Sequence, residues 1–552
     1  MLPSISPSSL PFGLARLSPV ARAWLLGALA LLLFCMQAQG REVIGFDSRF
    51  VLFAQEMLRH GPSFFPMTYG EAYPDYPGTS TLFIYLLSLP FGRVDSLAAW
   101  LPSALASAAV VALVYRLLEP ISVRWALLSV ALLLLTATFV SETRAVSLDQ
   151  MISALALGAF YLAYRDRERP LPRLLGWLGV LMLVGFLIRG PLGLVIPAGV
   201  VCACWVAAGE WRRLLAFAPL AAGLLLVCCL VLLAVADLSD GAAFAHSVLQ
   251  MEVVGRLDGS AGANSPLYYF LSAPGNYAIA FPLALPALAL LFGKGGRTEE
   301  QGTRVLLRAC ALAALVVMIG LSLPQAKKAR YILAMAPYAA IIAAYPFHVV
   351  GSRLASILRI VLQSLWFALP GLLSLALLFA WRHSPQLADY HHAMHRALAL
   401  LLLFQGLALW ALAKPRQRAL ALAGCAVLSL WAAYIVAFEP IERGLYGTRE
   451  FTLAADAAIS AKPAPVAFVG LGKDAKAIKY LVNLDHDLQP RFVDQDSQLA
   501  GLQGPLYLVM DAAHERALAA TPLAGLRPVV AADFDHDPYV LLYLPAPGGA
   551  RE

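Results

Sequence analysis

The chain has 552 residues, of which 60% are hydrophobic and 14% are charged, and its mean hydropathy is +0.71. The core of a soluble domain cannot bury so much apolar surface, so the composition excludes a soluble globular protein and makes the bilayer the main solvent. The formal net charge of +7 does not indicate a nucleic-acid partner, because the basic residues are spread through short loops between apolar runs.

Apolar runs close to the ~20 residues that a helix needs to cross a bilayer predict about thirteen spans. They lie near residues 23–39, 97–117, 124–141, 149–164, 175–188, 191–208, 216–237, 276–293, 305–323, 331–349, 358–381, 396–413 and 419–437. The runs lack the alternation of barrel strands, which favours helices. Lys and Arg in the short loops fall on one face, which predicts a cytoplasmic amino terminus and an external carboxyl terminus.

Two outer segments interrupt this pattern and a third ends it. The first, from Arg41 to about Ala98, contains the amphipathic stretch "FDSRFVLFAQEMLRHG", which predicts a helix lying along the membrane interface. The second runs from Leu238 to Asn276. In the tail, "PVAFVGLG", "GPLYLVMD" and "YVLLYLP" predict strands that alternate with helical "DAKAIKYLVNL" and "AAHERALAA". We therefore predict a transmembrane domain at 1–437 and a small soluble α/β domain at 438–552.

Two acidic residues at predicted helix starts are candidates for chemistry. Asp47 opens the interfacial helix, and Asp149 opens the fourth span. Two carboxylates on separate outer loops could take a proton from an acceptor and hold a nucleophile, a base or a cation. The alternative for each is a structural residue that binds free amides and complements the helix dipole.

A turn rich in proline follows the interfacial helix in "YGEAYPDYPGTSTLFIYLL". Prolines fix the turn and aromatic residues suit the membrane interface, so a structural role accounts for Tyr73 and Tyr76. Asp75 is harder to explain in that way.

Several cations occur on the face where the positive-inside rule predicts few. "LPQAKKARYILAMAP" contains Lys327, Lys328 and Arg330, and two further cations are Arg189 in "FLIRGPLG" and Arg256. An anion can balance such charges, and the phosphate of a lipid carrier is the natural partner because Arg binds it bidentately. Interfacial snorkelling is the alternative for any single residue, but their joint placement on one face favours the phosphate.

Four histidines, His383, His391, His392 and His395, cluster in one outer loop. Their spacing could bind a metal, but the surrounding sequence offers no structural frame to hold one. We do not predict a metal site there.

The order and spacing of these pieces resemble the GT-C glycosyltransferases, and within them the bacterial lipid A aminoarabinose transferases and the protein O-mannosyltransferases. The matching pieces are the helix ending "AQEML" (Asp47 to Leu58), the turn and aromatic run from Asp75 to Tyr85, "LPSAL" at 101–105, Arg144 and Asp149 before a span, Arg189 to Pro191, and "KARYILAMAP" from Lys328 to Pro337. The soluble carboxyl-terminal domain matches as well. The predicted fold is thus mainly α: a polytopic GT-C bundle with interfacial helices in its first outer loop and a periplasmic α/β domain.

The resemblance implies an inverting transfer of a monosaccharide, aminoarabinose or a similar sugar, from undecaprenyl or another polyprenyl phosphate. The acceptor would be lipid A or another envelope glycolipid at the periplasmic face of the bacterial inner membrane. Membrane lipid is the other expected partner. No cofactor is firmly implied, and a divalent cation is left open. The alternatives are a protein O-glycosyltransferase, an oligosaccharide ligase and, more remotely, a secondary transporter.

Individual roles follow from the same resemblance and from the charges above. Asp47 and Asp149 are the expected catalytic pair. The residues expected to bind the donor phosphate are Arg189, Arg256, Lys328, Arg330 and Tyr331. Those expected to contact donor or acceptor are Asp75, Tyr76, Arg49 and Arg144. Two departures concern the identity of sugar and acceptor: Asp47-Ser48 replaces the common Asp-Glu, and Tyr76-Pro77-Gly78 replaces Lys-Pro-Pro.

Overall fold

The computed structural model describes residues 17–75, 77–166, 169–260, 262–292, 299–499, 501–518 and 525–546. The chain divides into two compact units. The first comprises Met1–Ala38, Pro74–Ser80 and Trp100–Phe438, and the second comprises Gln39–Tyr73, Thr81–Ala99 and Glu439–Glu552. The second unit therefore combines most of the 41–98 segment with the carboxyl-terminal part of the chain.

Helices make up most of the described chain. The first twelve are α1 (Pro19–Cys35), α2 (Asp47–His60), α3 (Thr79–Ser88), α4 (Ser96–Leu118), α5 (Val123–Leu134), α6 (Ala137–Thr143), α7 (Leu148–Arg165), α8 (Leu171–Ala208), α9 (Trp211–Leu249), α10 (Gly255–Leu257), α11 (Tyr268–Asn276) and α12 (Ala280–Leu288). Those that follow are α13 (Gln301–Ser322), α14 (Ala336–Ala344), α15 (Arg353–His383), α16 (His391–Leu412), α17 (Arg418–Ala433), α18 (Glu439–Leu445), α19 (Arg449–Ala461), α20 (Ala477–Leu481), α21 (Asp496–Leu499) and α22 (Ala512–Ala517). Ala329–Met335 forms a 3₁₀-helix and Gln250–Val254 a π-helix.

The protein is a multi-pass membrane protein. Among the described residues, seven helices are long and apolar enough to cross a bilayer, or nine if each of two bent helix pairs counts as one span. Helical residues cover part of all thirteen predicted spans, but the length criterion accepts fewer complete crossings. One reason is that α1, at 17 residues, is short. Another is that α8 contains two predicted spans, 175–188 and 191–208.

A sharp break divides α8 at Arg189 and Gly190, whose backbone angles are not helical. Gly190 has a φ of 55°, in the left-handed region that glycine adopts without strain. The two halves approach so closely beyond the break that a side chain on Gly185 would overlap the carbonyl of Gly193. Residues eight apart in a continuous helix are about 12 Å apart, so the halves fold back on one another. The predicted tight turn at Arg189 is present.

Buried indoles donate hydrogen bonds to backbone carbonyls in the interior of the first unit. Trp125 Nε1 donates to the carbonyl of Ile341 over 2.8 Å, and Trp431 Nε1 donates to that of Leu134 over 3.0 Å. A buried polar group without a partner is costly, so these bonds allow large aromatic side chains to pack at helix crossings.

The second unit contains a five-stranded mixed sheet. Besides the small hairpin of β1 (Met67–Thr68) and β2 (Glu71–Ala72), its strands are β3 (Val466–Val469), β4 (Arg491–Val493), β5 (Leu506–Asp511), β6 (Pro528–Phe534) and β7 (Asp537–Leu544). The spatial order is β4-β3-β5-β7-β6; β3 pairs in parallel with β4 and β5, and β7 pairs antiparallel with β5 and β6. The predicted small α/β domain is thus confirmed, with two strands that the sequence pattern did not reveal. The boundary at 437/438 stays a prediction.

Glu42 connects the 41–98 segment to α19 within the second unit. Its carboxylate accepts hydrogen bonds from the backbone N–H groups of Thr448 and Arg449, the latter over 2.8 Å. These N–H groups have no partner within the helix at the amino terminus of α19, and the N-cap residue Thr448 makes no side-chain cap bond to them. Glu42 therefore caps a helix that is remote from it in sequence.

Candidate active site

Asp149 occupies the first turn of α7. Ser147 is the N-cap, and its hydroxyl accepts a hydrogen bond from the N–H of Gln150 over 3.2 Å. The cap is thus supplied by another residue, while the Asp149 side chain is only 6% exposed. A buried carboxylate needs positive partners, and the break in α8 provides one.

Arg189 lies at that break and forms an ion pair with Asp149. Its side chain is 4% exposed, so both members of the pair are withdrawn from bulk water. Because α8 breaks at Arg189, the Arg189 side chain extends from the end of a helical segment. It could not do so from inside a regular helix. The sequence named both residues, and the structure brings them together.

The 3₁₀-helix supplies two more groups to this cluster. Arg330 Nε lies 3.4 Å from Asp149 Oδ2. The guanidinium of Arg189 lies over the ring of Tyr331, 4.7 Å from its centroid, which is within the range of a cation–π interaction. We call Asp149, Arg189, Arg330 and Tyr331 the Asp149 cluster.

The segment before the 3₁₀-helix is fixed by residues of the predicted second outer segment. Lys327 Nζ donates to the carbonyl of Asn264, and Asn264 Nδ2 donates to the carbonyl of Lys327, each over 3.2 Å. The N–H groups of Gln325 and Ala326 donate to the carbonyl of Arg256 over 2.9 and 3.1 Å. The Lys327 side chain is thus buried and hydrogen-bonded to a backbone carbonyl, which gives it a structural role.

A second buried group of charges surrounds Glu252. Its carboxylate pairs with Arg256 over 3.3 Å and is also hydrogen-bonded to the carboxyl group of Asp75. Asp75 and Glu252 are 4% and 5% exposed. The oxygens of two adjoining carboxyl groups are ligands that suit a divalent cation, so this pair could hold one. Arg189 also acts electrostatically on Glu252, which links the pair to the Asp149 cluster.

Asp47 and Arg49 belong to the second unit, on α2. Asp47 is the first residue of that helix and is 8% exposed, whereas Phe46 is the N-cap and makes no side-chain cap bond. The guanidinium of Arg49 lies 5.2 Å from the ring centroid of Phe46 and 5.4 Å from that of Tyr73. Tyr76, a predicted contact with donor or acceptor, lies outside the described residues.

Arg144 is buried at 1% exposure and binds backbone at the end of α1. It donates to the carbonyls of Phe34 and Met36 over 2.5 and 2.8 Å. Positive charge at a helix carboxyl terminus complements the helix dipole. Arg144 therefore has a structural role alongside the predicted contact with donor or acceptor.

Sequence reasoning missed Glu252 and Tyr269. Tyr269 is fully buried, and its hydroxyl is close to the backbone of Lys328. Glu252 precedes Arg256 by four residues, a helical pair spacing that could have identified it. For Tyr269 the sequence gives no signal, because its importance comes from contact with a segment about sixty residues away.

The Asp149 cluster brings the guanidinium groups of Arg189 and Arg330 to one buried carboxylate. Arginine forks match the oxygens of a phosphate, and the low dielectric of a buried site strengthens the interaction. A phosphate group is therefore the ligand that this chemistry fits.

Comparisons with known proteins agree with this geometry. Residues 75–236 match the family model described as dolichyl-phosphate-mannose-protein mannosyltransferase. The structure of ArnT from Cupriavidus metallidurans bound to undecaprenyl phosphate superposes with a TM-score of 0.68 at 16% identity, covering 95% of this chain and 98% of that chain. The chain therefore has the fold of ArnT, and residues 75–236 match a glycosyltransferase family. Both findings agree with the predicted relationship and enzyme class.

A second structure of the same protein supports the fold assignment. ArnT from Cupriavidus metallidurans in the apo state has a TM-score of 0.63 and 16% identity, covering 94% of this chain and 98% of that chain. A search of curated proteins finds no match. At this identity the structural similarity establishes the fold. It does not identify the sugar or the acceptor.

Proposed function

We propose that this glycosyltransferase moves a monosaccharide, aminoarabinose or a similar sugar, from undecaprenyl phosphate to lipid A or another envelope acceptor. The reaction would take place at the periplasmic face of a bacterial inner membrane. The observation that carries the proposal is the Asp149 cluster, in which Arg189 and Arg330 share one buried carboxylate. The undecaprenyl phosphate named with ArnT is a ligand of the matching chemistry.

The donor phosphate would be held by Arg189, Arg330 and Tyr331, with Lys328 and Arg256 on the adjoining segments. An acceptor oxygen attacks the anomeric carbon from the side opposite the phosphate. The bond between that carbon and the phosphate oxygen breaks, and its electron pair remains on the polyprenyl phosphate. Because negative charge grows on this leaving group, fixed cations stabilise the transition state more than the ground state.

Asp47 is the proposed base that takes the acceptor's proton, and Asp149 orients the two arginines. A carboxylate of ordinary basicity can accept a proton from a phosphate or a polarised hydroxyl within hydrogen-bond reach. Asp75, Tyr76, Arg49 and Arg144 complete the proposed contacts with donor or acceptor. The carboxyl pair of Asp75 and Glu252 would hold any divalent cation that the reaction uses.

The test of Asp47 is transfer of a polyprenyl-phosphate sugar in membranes that contain Asp47→Asn. We expect loss of transfer with retained membrane insertion, because the amide keeps the shape and removes the base. Asp485→Asn, an exposed acid in the same unit, is the matched control and should retain activity. Full transfer by Asp47→Asn would exclude Asp47 as the base.

Mass spectrometry of lipids that co-purify with the protein tests the donor. A polyprenyl phosphate carrying one sugar would support monosaccharide transfer. A pyrophosphate-linked chain would instead identify an oligosaccharide ligase. Carboxyl-terminal fusions to alkaline phosphatase and to a cytoplasmic fluorescent protein test the orientation, since only the phosphatase should be active if this end is periplasmic.

Transfer to protein is the second candidate, because the matching family model is that of protein mannosyltransferases. The two candidates differ in the fraction that carries label after incubation with a donor whose sugar is radioactive. Label in the lipid A extract supports the first proposal. Label that stays with protein after delipidation supports the second.

A further inference from the structure

The second unit contains a cavity of about 270 Å³ beside α2. Its walls come from α2, from the β1–β2 hairpin and from residues 481–489. It is a feature of the second unit alone, and no part of the Asp149 cluster lines it. Polar groups from two distant stretches of sequence meet at one side of the cavity.

Three of these groups have the composition of a metal site. Glu56 and His60 are four residues apart on α2, which places both side chains on one face of the helix. Asp487 approaches from the carboxyl-terminal part of the unit, and its Oδ2 lies 2.8 Å from His60 Nε2. Glu56 Oε2 lies 3.8 Å from the same nitrogen. One ligand atom from each residue lies within 4.8 Å of the others.

Arg59 orients both carboxylates through their remaining oxygens. Its Nη1 lies 3.2 Å from Glu56 Oε1 and 3.2 Å from Asp487 Oδ1. Its Nη2 donates to the carbonyl of Leu484 over 2.5 Å, which fixes the guanidinium. The oxygens that Arg59 does not bind, Oε2 and Oδ2, are the two that face His60. Outer partners of this kind hold metal ligands in place in known sites.

We propose that Glu56, His60 and Asp487 bind a divalent transition-metal ion of the Zn²⁺ class. Zinc bonds of about 2.0–2.2 Å in tetrahedral geometry separate ligand atoms by roughly 3.3 Å, which the distances of 2.8 and 3.8 Å bracket. A mixed nitrogen and carboxylate set suits Zn²⁺, whereas Ca²⁺ and Mg²⁺ prefer all-oxygen sites with more ligands. The adjoining cavity leaves a fourth position for water.

Charge and connectivity are consistent with such an ion. Two carboxylates and one guanidinium carry one net negative charge, so a divalent cation is attracted. The ion would connect α2 to residues 481–489, which are more than four hundred positions later in the chain. Binding to the folded state alone would stabilise the second unit by mass action.

The experiment uses the full chain in detergent, purified through a tag without histidine and stripped with a chelator. Zn²⁺ is added by equilibrium dialysis and bound metal is counted by mass spectrometry. We expect one saturable Zn²⁺ per chain, and at least about tenfold weaker binding in His60→Gln and in Asp487→Asn. Zn²⁺ should also raise the unfolding temperature of the wild type more than that of either variant.

Two controls separate a metal site from a network of ion pairs. Glu71→Gln removes the 2.9 Å pair with Lys473, which connects the same two parts of the chain without a metal ligand set. His486→Gln removes a histidine that lines the same cavity. Both should retain Zn²⁺ affinity. Equal affinity in wild type, His60→Gln and Asp487→Asn would overturn the proposal and assign any bound zinc to other groups, such as the histidines at 383–395. Absence of stoichiometric binding to the wild type would overturn it as well.

Discussion

Arg189 and Asp149 form an ion pair in which both side chains are more than nine-tenths buried. Removing one partner leaves the other charge buried without compensation, which typically costs about 3–5 kcal/mol. We therefore expect Arg189→Gln to lower the free energy of unfolding, measured by denaturant titration in detergent. The double variant Arg189→Gln with Asp149→Asn should be less destabilised than the sum of the single variants, because the unpaired charge is gone. Additive effects would contradict an energetic coupling of the pair.

Arg330 offers a cleaner test of the chemistry than Arg189. It is only partly buried, and Asp149 still pairs with Arg189 when Arg330 is replaced. Loss of one group that stabilises developing negative charge commonly reduces kcat by about 10²–10³-fold. We expect Arg330→Gln to lose turnover in that range while its unfolding temperature changes little. The exposed Arg382 at the end of α15 supplies the control, and Arg382→Gln should retain activity. Equal activity of the two variants would argue against a role of Arg330 in leaving-group stabilisation.

The close approach of the two halves of α8 can be tested without a substrate. Gly185→Ala should destabilise the protein, because the new methyl group overlaps the backbone of Gly193. Gly179 lies in the first half of α8 with no atom within 4 Å of an added methyl group. Gly179→Ala should therefore be neutral, or stabilising by up to about 1 kcal/mol. Thermal unfolding of the two variants in detergent compares them, and similar losses would contradict the close crossing.

Asp511 caps α22 in the sheet-containing part of the second unit. Its carboxylate accepts from the N–H groups of Ala513 and His514 over 2.9 and 2.8 Å. Burial alone would raise the pKa of Asp511, but these bonds and the imidazole of His514 lower the pKa below the usual 3.8. Asp511→Ala should cost about 1 kcal/mol, which corresponds to roughly fivefold faster local hydrogen exchange.

The sign of the pH dependence follows from that lowered pKa. The carboxylate contributes its full stabilisation above pH 3.8 and loses it as the pH falls through the lower folded value. The difference in unfolding temperature between wild type and Asp511→Ala should thus not shrink from pH 7 to pH 5 and should shrink only in stronger acid. Asp511→Asn, which can still cap, should stay close to the wild type above pH 5. A difference that shrinks already between pH 7 and pH 5 would contradict the assignment.

The sequence predicts this fold well where local signals are strong. Long apolar runs identify the helices, and alternating or β-branched runs identify β3, β5 and β7. β4 has three residues and pairs at a sheet edge, so it carries too little pattern to be recognised. The exposed residues of β6 likewise hide its periodicity.

The candidate site was only partly accessible to sequence reasoning. Arg189 and Arg330 stand out because the positive-inside rule predicts few cations on the outer face, and Asp149 stands out because it opens a predicted span. Their pairing does not, since it depends on a fold-back at Gly190 that brings segments forty and more residues apart together. Asp487 was missed because its partners are defined by tertiary structure, and a single acidic residue carries no spacing signal.

The cap that Glu42 provides for α19 has a consequence for biosynthesis. Its two hydrogen-bond partners, Thr448 and Arg449, lie 406 and 407 positions after Glu42 in the chain. At a synthesis rate of 5–20 residues per second, Glu42 leaves the ribosome roughly 20–80 seconds before the helix that it caps. The 41–98 segment must remain available throughout that interval while the helices between are inserted, so completion of the second unit is necessarily a late, post-insertion event in the maturation of this enzyme.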